Sequence, residues 1–450
     1  MDQRSKIGIL GFGVEGRAVF DYLLEHGYDE LTVCDVNVDL DETMPDGVSV
    51  RLGPGYLDEL EDFEVIFRSP GIRYYDPKIQ AAIAAGVEVT SSTGFFMDQC
   101  PCPVIGVTGT KGKGTTATLI YEILKAAGKK VYLAGNIGEP AIALLDELKG
   151  DGLVVLELSS FQLQDLSKSP HYAVLLNTTK DHLDYHVDRD EYLQAKESLL
   201  AHQLENHLAV LNKDYEYAQH YAPLVKGGLK WVSVQEKVKD GVYVEDGRIW
   251  YGEEEICETG EVALIGSHNL ENVMPAVVIA KELGVANGTI RSVVKEFAGL
   301  PHRLEFVEEK KGVKYYNDSF STTPETSMAA VDSFDEPTVL IAGGYDKGLE
   351  YGDWALKILT KPSLKTVVLV GDTAEMMEEA LEEGRKKLGE AEGSETDVLR
   401  AKDMKEAVEK AASAAEDGGV VVMSPASSSF DLYKNYKERG KKFMEEVRSL

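Results

Sequence analysis

The stretch Val104-Ile-Gly-Val-Thr-Gly-Thr-Lys-Gly-Lys-Gly-Thr-Thr116 decides how this chain is read. Val104–Val107 is a short apolar run bounded upstream by Pro101 and Pro103, the pattern of a buried strand. A glycine-rich turn follows, and Thr116–Ala127 reads as a helix. Strand, turn and helix in that order aim successive backbone N–H groups and a positive helix end at one point, which suits a phosphate chain. Lys113 supplies a cation able to bridge the outer phosphates. The strict Walker spacing is not met, because Val107 stands at the first glycine position and Gly114 follows Lys113. Thr115 is then the candidate magnesium hydroxyl. The candidate nucleotide loop comprises Gly109, Thr110, Lys111, Gly112, Lys113, Gly114, Thr115 and Thr116.

Downstream of the loop, the apolar run Leu153–Leu156 ends in Glu157. A carboxylate at the mouth of a buried strand beside a phosphate loop is where magnesium is expected. Further strands are read at Val131–Ala134 and Ala173–Leu176. The short runs LAVLN, LKWVSV and GVYVEDGRIWYG within 207–265 are expected to add antiparallel strands. By spacing alone, Asp181-His182 is an ordinary strand end and Lys196 a surface lysine.

Upstream, Lys6–Leu10 runs into Gly11-Phe-Gly13-Val-Glu-Gly16, then a helix to His26 and a strand Leu31–Cys34 closed by Asp35. That is the spacing of a dinucleotide fingerprint. Three readings stay open for it: NAD or FAD, another nucleotide, or a structural tight turn. Val65–Phe67 is a strand closed by Ser69-Pro70-Gly71, and Met97–Pro103 reads as a linker. A second break falls at Gly299-Leu300-Pro301. Beyond it, strands at Val339–Ala342, Thr366–Val370 and Gly419–Met423 alternate with charged helices such as Ala374–Leu388. The expectation is an α/β chain of three domains, 1–98, 99–299 and 300–450, with mainly parallel sheets.

Composition agrees with that reading. With 450 residues, 43% apolar and 28% charged, the chain is globular and too long for one core. A net charge of −30 repels polyanions, so nucleic acid is excluded as a partner and phosphate ligands need a local donor cluster. No apolar run approaches the roughly 20 residues of a membrane span, and MDQRSKIGILGFG lacks a cleavage site. The four cysteines form no secreted framework. Cys100-Pro-Cys102 has no second ligand pair at metal spacing. A cytoplasmic monomer, acting on neither membrane nor nucleic acid, is expected.

The ordered set VTGTKGKGT (107–115), GNIG (135–138), LELSSFQL (156–163), NTTKDHLDYH (177–186), GSHNLEN (266–272), LPHR (300–303), NDS (317–319), AGGYDKG (342–348) and SPASSSFDLYKNY (424–436) resembles the Mur ligase family. The resemblance runs along nearly the whole chain. It implies an N-terminal Rossmann-like module for UDP, a central P-loop ATPase and a C-terminal Rossmann-like module for glutamate. The implied reaction joins glutamate to UDP-N-acetylmuramoyl-L-alanine, with ATP and two Mg2+ ions. Val14, Glu15, Asp35, Ser69, Pro70 and Gly71 match UDP-contacting positions, although Glu15 replaces a small hydroxyl residue. Lys113 would hold the γ-phosphate, Thr115 and Glu157 the first magnesium, and His182 with a carbamoylated Lys196 the second. Asn136 matches a contact to the acyl substrate. Asn269, Asn272, His302, Arg303 and Asp318 match nucleotide-contacting positions. Thr322, Lys347, Ser429 and Tyr436 match glutamate-contacting ones. Phe320 departs from the usual Asn-Asp-Ser-Lys run. The segment Ser321–Glu325 is similar to the branch that uses L-glutamate, so both isomers stay open, with the D-isomer ahead. A folylpolyglutamate synthase, a nicotinamide oxidoreductase with an added ATPase and a non-catalytic nucleotide scaffold are the rivals.

Overall fold

Short apolar runs closed by glycine or a carboxylate become the buried strands of three sheets. The computed structural model describes residues 2–45, 48–136, 139–178, 189–389 and 396–450. The first sheet holds β1 (Ile7–Leu10), β2 (Leu31–Asp35), β3 (Ser49–Leu52), β4 (Val65–Arg68) and β5 (Glu88–Thr90), in the order β3-β2-β1-β4-β5. Every pairing in it is parallel. Ile7, Ile9 and Leu10 are fully buried, as expected for a strand covered on both faces.

The second sheet holds β6 (Val104–Thr108), β7 (Val131–Gly135), β8 (Leu153–Glu157), β9 (Tyr172–Leu175), β10 (Leu208–Asn212), β11 (Gly228–Ser233), β12 (Gly241–Glu245), β13 (Arg248–Tyr251) and β14 (Glu254–Glu258). Its order is β14-β13-β12-β11-β10-β9-β6-β8-β7. The antiparallel expectation for 207–265 is corrected in part. β10 and β11 join in parallel register, and only the β12–β13 and β13–β14 pairs are antiparallel. LAVLN is buried at all five positions, which is the mark of an interior parallel strand, and only the hairpin segment alternates. The helix after the phosphate loop begins at Lys113, not Thr116, and runs to Ala126. The expected linker is partly helical, since Ser92–Gln99 forms a helix capped by the Ser91 hydroxyl.

The third sheet holds β15 (Glu305–Lys310), β16 (Val313–Asn317), β17 (Thr338–Ala342), β18 (Leu364–Val370), β19 (Asp397–Ala401) and β20 (Val420–Met423), in the order β15-β16-β20-β17-β18-β19. Only β15 is antiparallel. The chain divides into two compact units. The first is Met1–Val262 with Leu270–Lys295 and carries the first two sheets. The second is Ala263–Asn269 with Glu296–Leu450 and carries the third. Among the described residues no helix is long and apolar enough to cross a membrane. All four cysteines are free, and burial pushes the thiols of Cys34, Cys100 and Cys257 up to about 12, 11 and 11, so these are neutral side chains.

Candidate active site

In the first unit the phosphate loop is tied down on both sides. Thr110 N donates to the Asn177 carbonyl at 2.7 Å. Gly112 caps the helix Lys113–Ala126 at φ +82°, and a Cβ there would fall 1.9 Å from Asn272 Oδ1. Only glycine fits such a place. The Thr116 hydroxyl donates to the Asn272 carbonyl at 3.0 Å, fastening the loop to the buried helix Leu270–Glu282.

Charge collects at this loop. Lys113 Nζ donates to the Gly109 and Thr110 carbonyls at 3.0 and 3.1 Å, and Lys196 Nζ reaches the same Gly109 carbonyl at 3.4 Å. A lysine in the first turn opposes the helix dipole, a cost that a bound anion offsets. Lys196 is 1% exposed, so the surface reading of it is overturned. Glu157 ends β8, buried, and the β6–β8 register sets it opposite Val107. Asn136 Nδ2 donates to Glu157 Oε1 at 3.4 Å, and Asn136 N to the Glu157 carbonyl at 3.0 Å. Thr115 is buried in the first helical turn, and Lys111 is exposed. His182 lies outside the described residues. Among those described, no three or more His, Cys, Asp or Glu cluster as a metal site. The donors present, a threonine hydroxyl and a carboxylate, are all oxygen, and together with the Gly112 cradle they fit magnesium carried on a nucleotide's phosphates.

Tyr192 was not foreseen. Its hydroxyl lies 2.8 Å from Thr110 Oγ1, and Lys196 Nζ sits 4.6 Å from its ring centre. Its spacing of i, i+4 from Lys196 on the helix Arg189–Ala201 was the available signal.

At the first glycine loop, a Cβ on Gly16 would lie 2.0 Å from the Gly11 carbonyl, so the helix can start close to the turn only with glycine there. Asp35 Oδ2 accepts from Phe12 N at 2.6 Å, its Oδ1 accepts from Asn37 N at 2.8 Å, and Ser69 Oγ donates to the Gly11 carbonyl at 2.7 Å. The structure thus gathers Asp35 and Ser69 at the turn. Val14 and Gly71 are exposed, and Pro70 is half-buried. Glu15 instead turns inward. Its Oε1 accepts from Gln162 Nε2 at 2.6 Å, and its Oε2 is buried without a hydrogen-bond partner. Burial raises the Glu15 carboxyl above the usual range, against the Gln162 bond and the attraction of Arg68. Below this loop Arg68 and Asp165 form a buried ion pair at 2.8 Å.

The second unit assembles two further groups. His302 and Leu304 hold positive φ, +65° and +42°, on either side of Arg303. The turn is pinned by His302 N donating to Glu305 Oε2 (2.8 Å) and Leu304 N to Asp318 Oδ1 (3.1 Å). Burial raises Asp318 to about 6, opposed by bonds from Ser321, Ser424 and Leu304 N and by the nearby Arg303 charge. Asn269 Nδ2 donates to the Ile265 carbonyl at 2.6 Å. An isolated bridge between Tyr345 and Ser428 brings the Lys347 loop beside Ser429. Lys347 is exposed, with Nζ 5.2 Å from the Phe430 ring centre, while Ser429 is buried and Thr322 and Tyr436 are half-buried. A small, mostly apolar pocket opens alongside, lined in part by Gly343, Gly344, Asp431 and Arg439. Its lining includes the last residues of β17, β18 and β20, the strand ends where ligands of such a sheet usually bind. Buried Arg439, also unforeseen, ties Ser319 to the carbonyls of Ser427 and Ser428.

Three parallel-rich sheets, one carrying a glycine loop with convergent lysines beside a buried glutamate, define a phosphate-handling α/β protein of modular build. Residues 5–91, 107–280 and 302–427 match, in turn, the Mur ligase MurD-like N-terminal domain, the Mur ligase middle domain and the Mur ligase glutamate ligase domain. The chain belongs to the Mur ligase family. It is 37% identical to the UDP-N-acetylmuramoylalanine--D-glutamate ligase of Clostridium tetani, over 99% of this chain and 97% of that one. To the ligase of the same name from Acetivibrio thermocellus it is 38% identical, over 100% and 97%. Its fold is similar to that of the MurF ligase from Thermotoga maritima, crystallised with ADP (TM-score 0.60, 17% identity, 99% and 96% covered).

Proposed function

We propose that this chain is an ATP-dependent ligase that joins D-glutamate to UDP-N-acetylmuramoyl-L-alanine in the cytoplasm, through an acyl phosphate. The observation that carries the reading is the convergence of Lys113 and Lys196 on the Gly109 carbonyl, in a loop whose strand pairs directly with that of Glu157. The D-isomer is favoured by the names of the full-length relatives.

A free carboxylate is a poor acyl donor, because an attacking amine would have to expel oxide. Transfer of the γ-phosphoryl group to the alanyl carboxylate forms the acyl phosphate and releases ADP. The amine of glutamate then attacks the acyl carbon, and phosphate leaves. Lys113 offsets the repulsion between phosphate and carboxylate anions. Asn136 orients the acyl substrate next to Glu157. Magnesium, held by Thr115 and Glu157 and at a second position by His182 and Lys196, would supply positive charge to the phosphate and carboxylate oxygens. The burial of Lys196 between a carbonyl and a ring supports its carbamoylation, which exchanges a desolvated cation for an anionic oxygen ligand. The first glycine loop, with Asp35 and Ser69, takes the UDP moiety at a helix N-terminus. Lys347 and Ser429 take the glutamate side-chain carboxylate, and Arg303 and Asp318 serve the nucleotide.

The test is phosphate release from ATP with UDP-N-acetylmuramoyl-L-alanine, run separately with D- and L-glutamate. Release should depend on D-glutamate, and Lys113→Ala should abolish it while UDP-substrate binding stays within about threefold. Turnover retained by Lys113→Ala would refute this ATP site. Release with a pterin glutamate acceptor in place of the UDP-sugar would point to the folate-type ligase.

A further inference from the structure

Phe320 is a large apolar side chain left 39% exposed in the turn that follows β16, in the middle of the proposed nucleotide and glutamate residues of the second unit. The functional reading gives it no role. Its surroundings are specific. The Arg303 guanidinium carbon sits 3.9 Å from the centre of its ring, the closest cation–ring approach among the described residues. Tyr436 meets the same ring edge-on, with centroids 5.0 Å apart and planes at 84°. Tyr436 is also met by His302, with centroids 5.8 Å apart and again edge-on.

The backbone fixes both partners. Phe320 N donates to the His302 carbonyl at 3.0 Å, which locks the ring beside the strained turn that carries Arg303. Ser319 Oγ donates to the Tyr436 carbonyl at 2.7 Å and accepts from Arg439 Nε at 3.0 Å. The first turn of the helix Tyr436–Ser449 is thereby bound to the residue next to Phe320. Strained backbone of this kind persists only where the surroundings over-determine it, and it gathers at ligand-handling sites.

We propose that Phe320 is a positioning residue. Its ring contacts both the Arg303 guanidinium and the Tyr436 ring, so the group that reads the nucleotide and the group that reads the amino acid are joined with it in one rigid triplet. The assignment rests on the proposed function for the roles of Arg303 and Tyr436, and on the geometry alone for the triplet. A long guanidinium side chain loses freedom when it engages a phosphate, and stacking in advance removes much of that cost. The same ring fixes the rotamer of Tyr436. Loss of the ring therefore weakens nucleotide and glutamate together and leaves the UDP substrate, which binds elements of the first unit, unaffected.

The experiment compares Phe320→Leu, Phe320→Tyr and Phe320→Lys with the unaltered enzyme in steady-state kinetics for all three substrates. A cation–ring contact of this kind corresponds to about 3- to 30-fold in binding. Phe320→Leu should raise KM for ATP and for glutamate by that range, with KM for the UDP substrate within twofold. Phe320→Tyr should restore both. Phe320→Lys, which sets a second cation against Arg303, should be at least as impaired as the leucine variant. In an Arg303→Met background, which removes the cation, Phe320→Leu should have no further effect on the ATP KM, since the interaction it removes is already gone. Equal KM values for Phe320→Leu and the unaltered enzyme, failure of Phe320→Tyr to rescue, or a parallel rise in all three KM values would overturn the proposal. Absence of any ligase product from the unaltered enzyme would overturn the functional reading instead. Calorimetric binding of a magnesium–ATP analogue to the same variants then decides the triplet separately: a weakening in Phe320→Leu rescued by Phe320→Tyr supports it, and unchanged affinity rejects it.

Discussion

Asp165→Asn should cost the first unit about 3 kcal/mol of stability, although the substitution changes almost nothing in size. Asp165 and Arg68 are side chains with 2% and 0% exposure. Arg68 donates to Asp165 Oδ2 from Nε at 2.9 Å and from Nη2 at 2.8 Å, and to the carbonyls of Phe161 and Ile72 at 2.9 and 2.7 Å. Ser91 Oγ completes the carboxylate at 3.1 Å from Oδ1. The guanidinium on β4 is therefore tied to the segment after β8, which joins the first two sheets. Neutralising the acid leaves a cation desolvated with no compensating charge, a loss of roughly 3–5 kcal/mol. The first unit is large, so each kcal/mol moves its midpoint by about 2–4 °C, and a fall of roughly 6–12 °C is expected by differential scanning calorimetry. Arg68 also grips the Ile72 carbonyl just past Ser69-Pro70-Gly71, so KM for the UDP substrate should rise with little change for ATP. The control is the double replacement Arg68→Met with Asp165→Leu, which removes both charges and should recover most of the loss. A single variant within 1 kcal/mol of the parent, or a double variant less stable than the single, would refute the reasoning.

Gly112→Ala places a methyl group 1.9 Å from Asn272 Oδ1 at a backbone of φ +82°. It should cost about 1–2 kcal/mol in backbone strain alone and abolish ATP-dependent phosphate release; nucleotide binding at parental affinity would contradict the cradle. Asp318 titrates at about 6 in the folded second unit, raised from 3.8 by burial. Because the folded state holds the proton more tightly, stability is greatest below the unfolded value and is lost as pH rises through about 6. A rise from 3.8 to about 6 is worth ~3 kcal/mol as an upper bound. Asp318→Asn should accordingly unfold later than the parent at pH 7.5 while turning over more slowly, and the stability difference should fade toward pH 4. A difference that does not change with pH would be evidence against the burial of that charge.

Where strand ends were marked by glycine or a carboxylate, the sequence was legible. Ile7–Leu10, Val104–Thr108, Leu153–Glu157 and Thr338–Ala342 all fall where apolar runs meet such residues. Ser49–Leu52, Glu88–Thr90 and Asp397–Ala401 were missed because they are edge or short strands with few buried positions, so no apolar run announces them. The phosphate loop could be read because its chemistry is local: one segment supplies turn, cation and hydroxyl. Lys196 could not be read that way. Its burial depends on the helix Arg189–Ala201 lying against the loop, and nothing in a lone lysine reports that. Arg68, Gln162, Tyr192 and Arg439 were missed for the same reason, since their partners lie far away in sequence. Glu15 shows the converse. Its motif position pointed outward to a ligand, and its side chain turned inward to Gln162.

The way the cations are supported suggests how an acidic chain of net charge −30 can handle polyanionic substrates. Lys113 rests on the Gly109 carbonyl, Arg303 on the Phe320 ring and Lys347 near the Phe430 ring. Each of these has at least one support that carries no net charge. A carbonyl dipole or a π face restrains a cation while leaving its charge effective toward a ligand. Arg68 rests on a carboxylate, which restrains it and cancels it as well. The first arrangement suits a group that must meet phosphate or carboxylate, and the second suits a staple. On this argument the residues that most deserve substitution are the neutral supports. Removing Phe320 or Phe430 leaves every formal charge in place and takes away only its aim, so the loss should appear in substrate KM before it appears in stability.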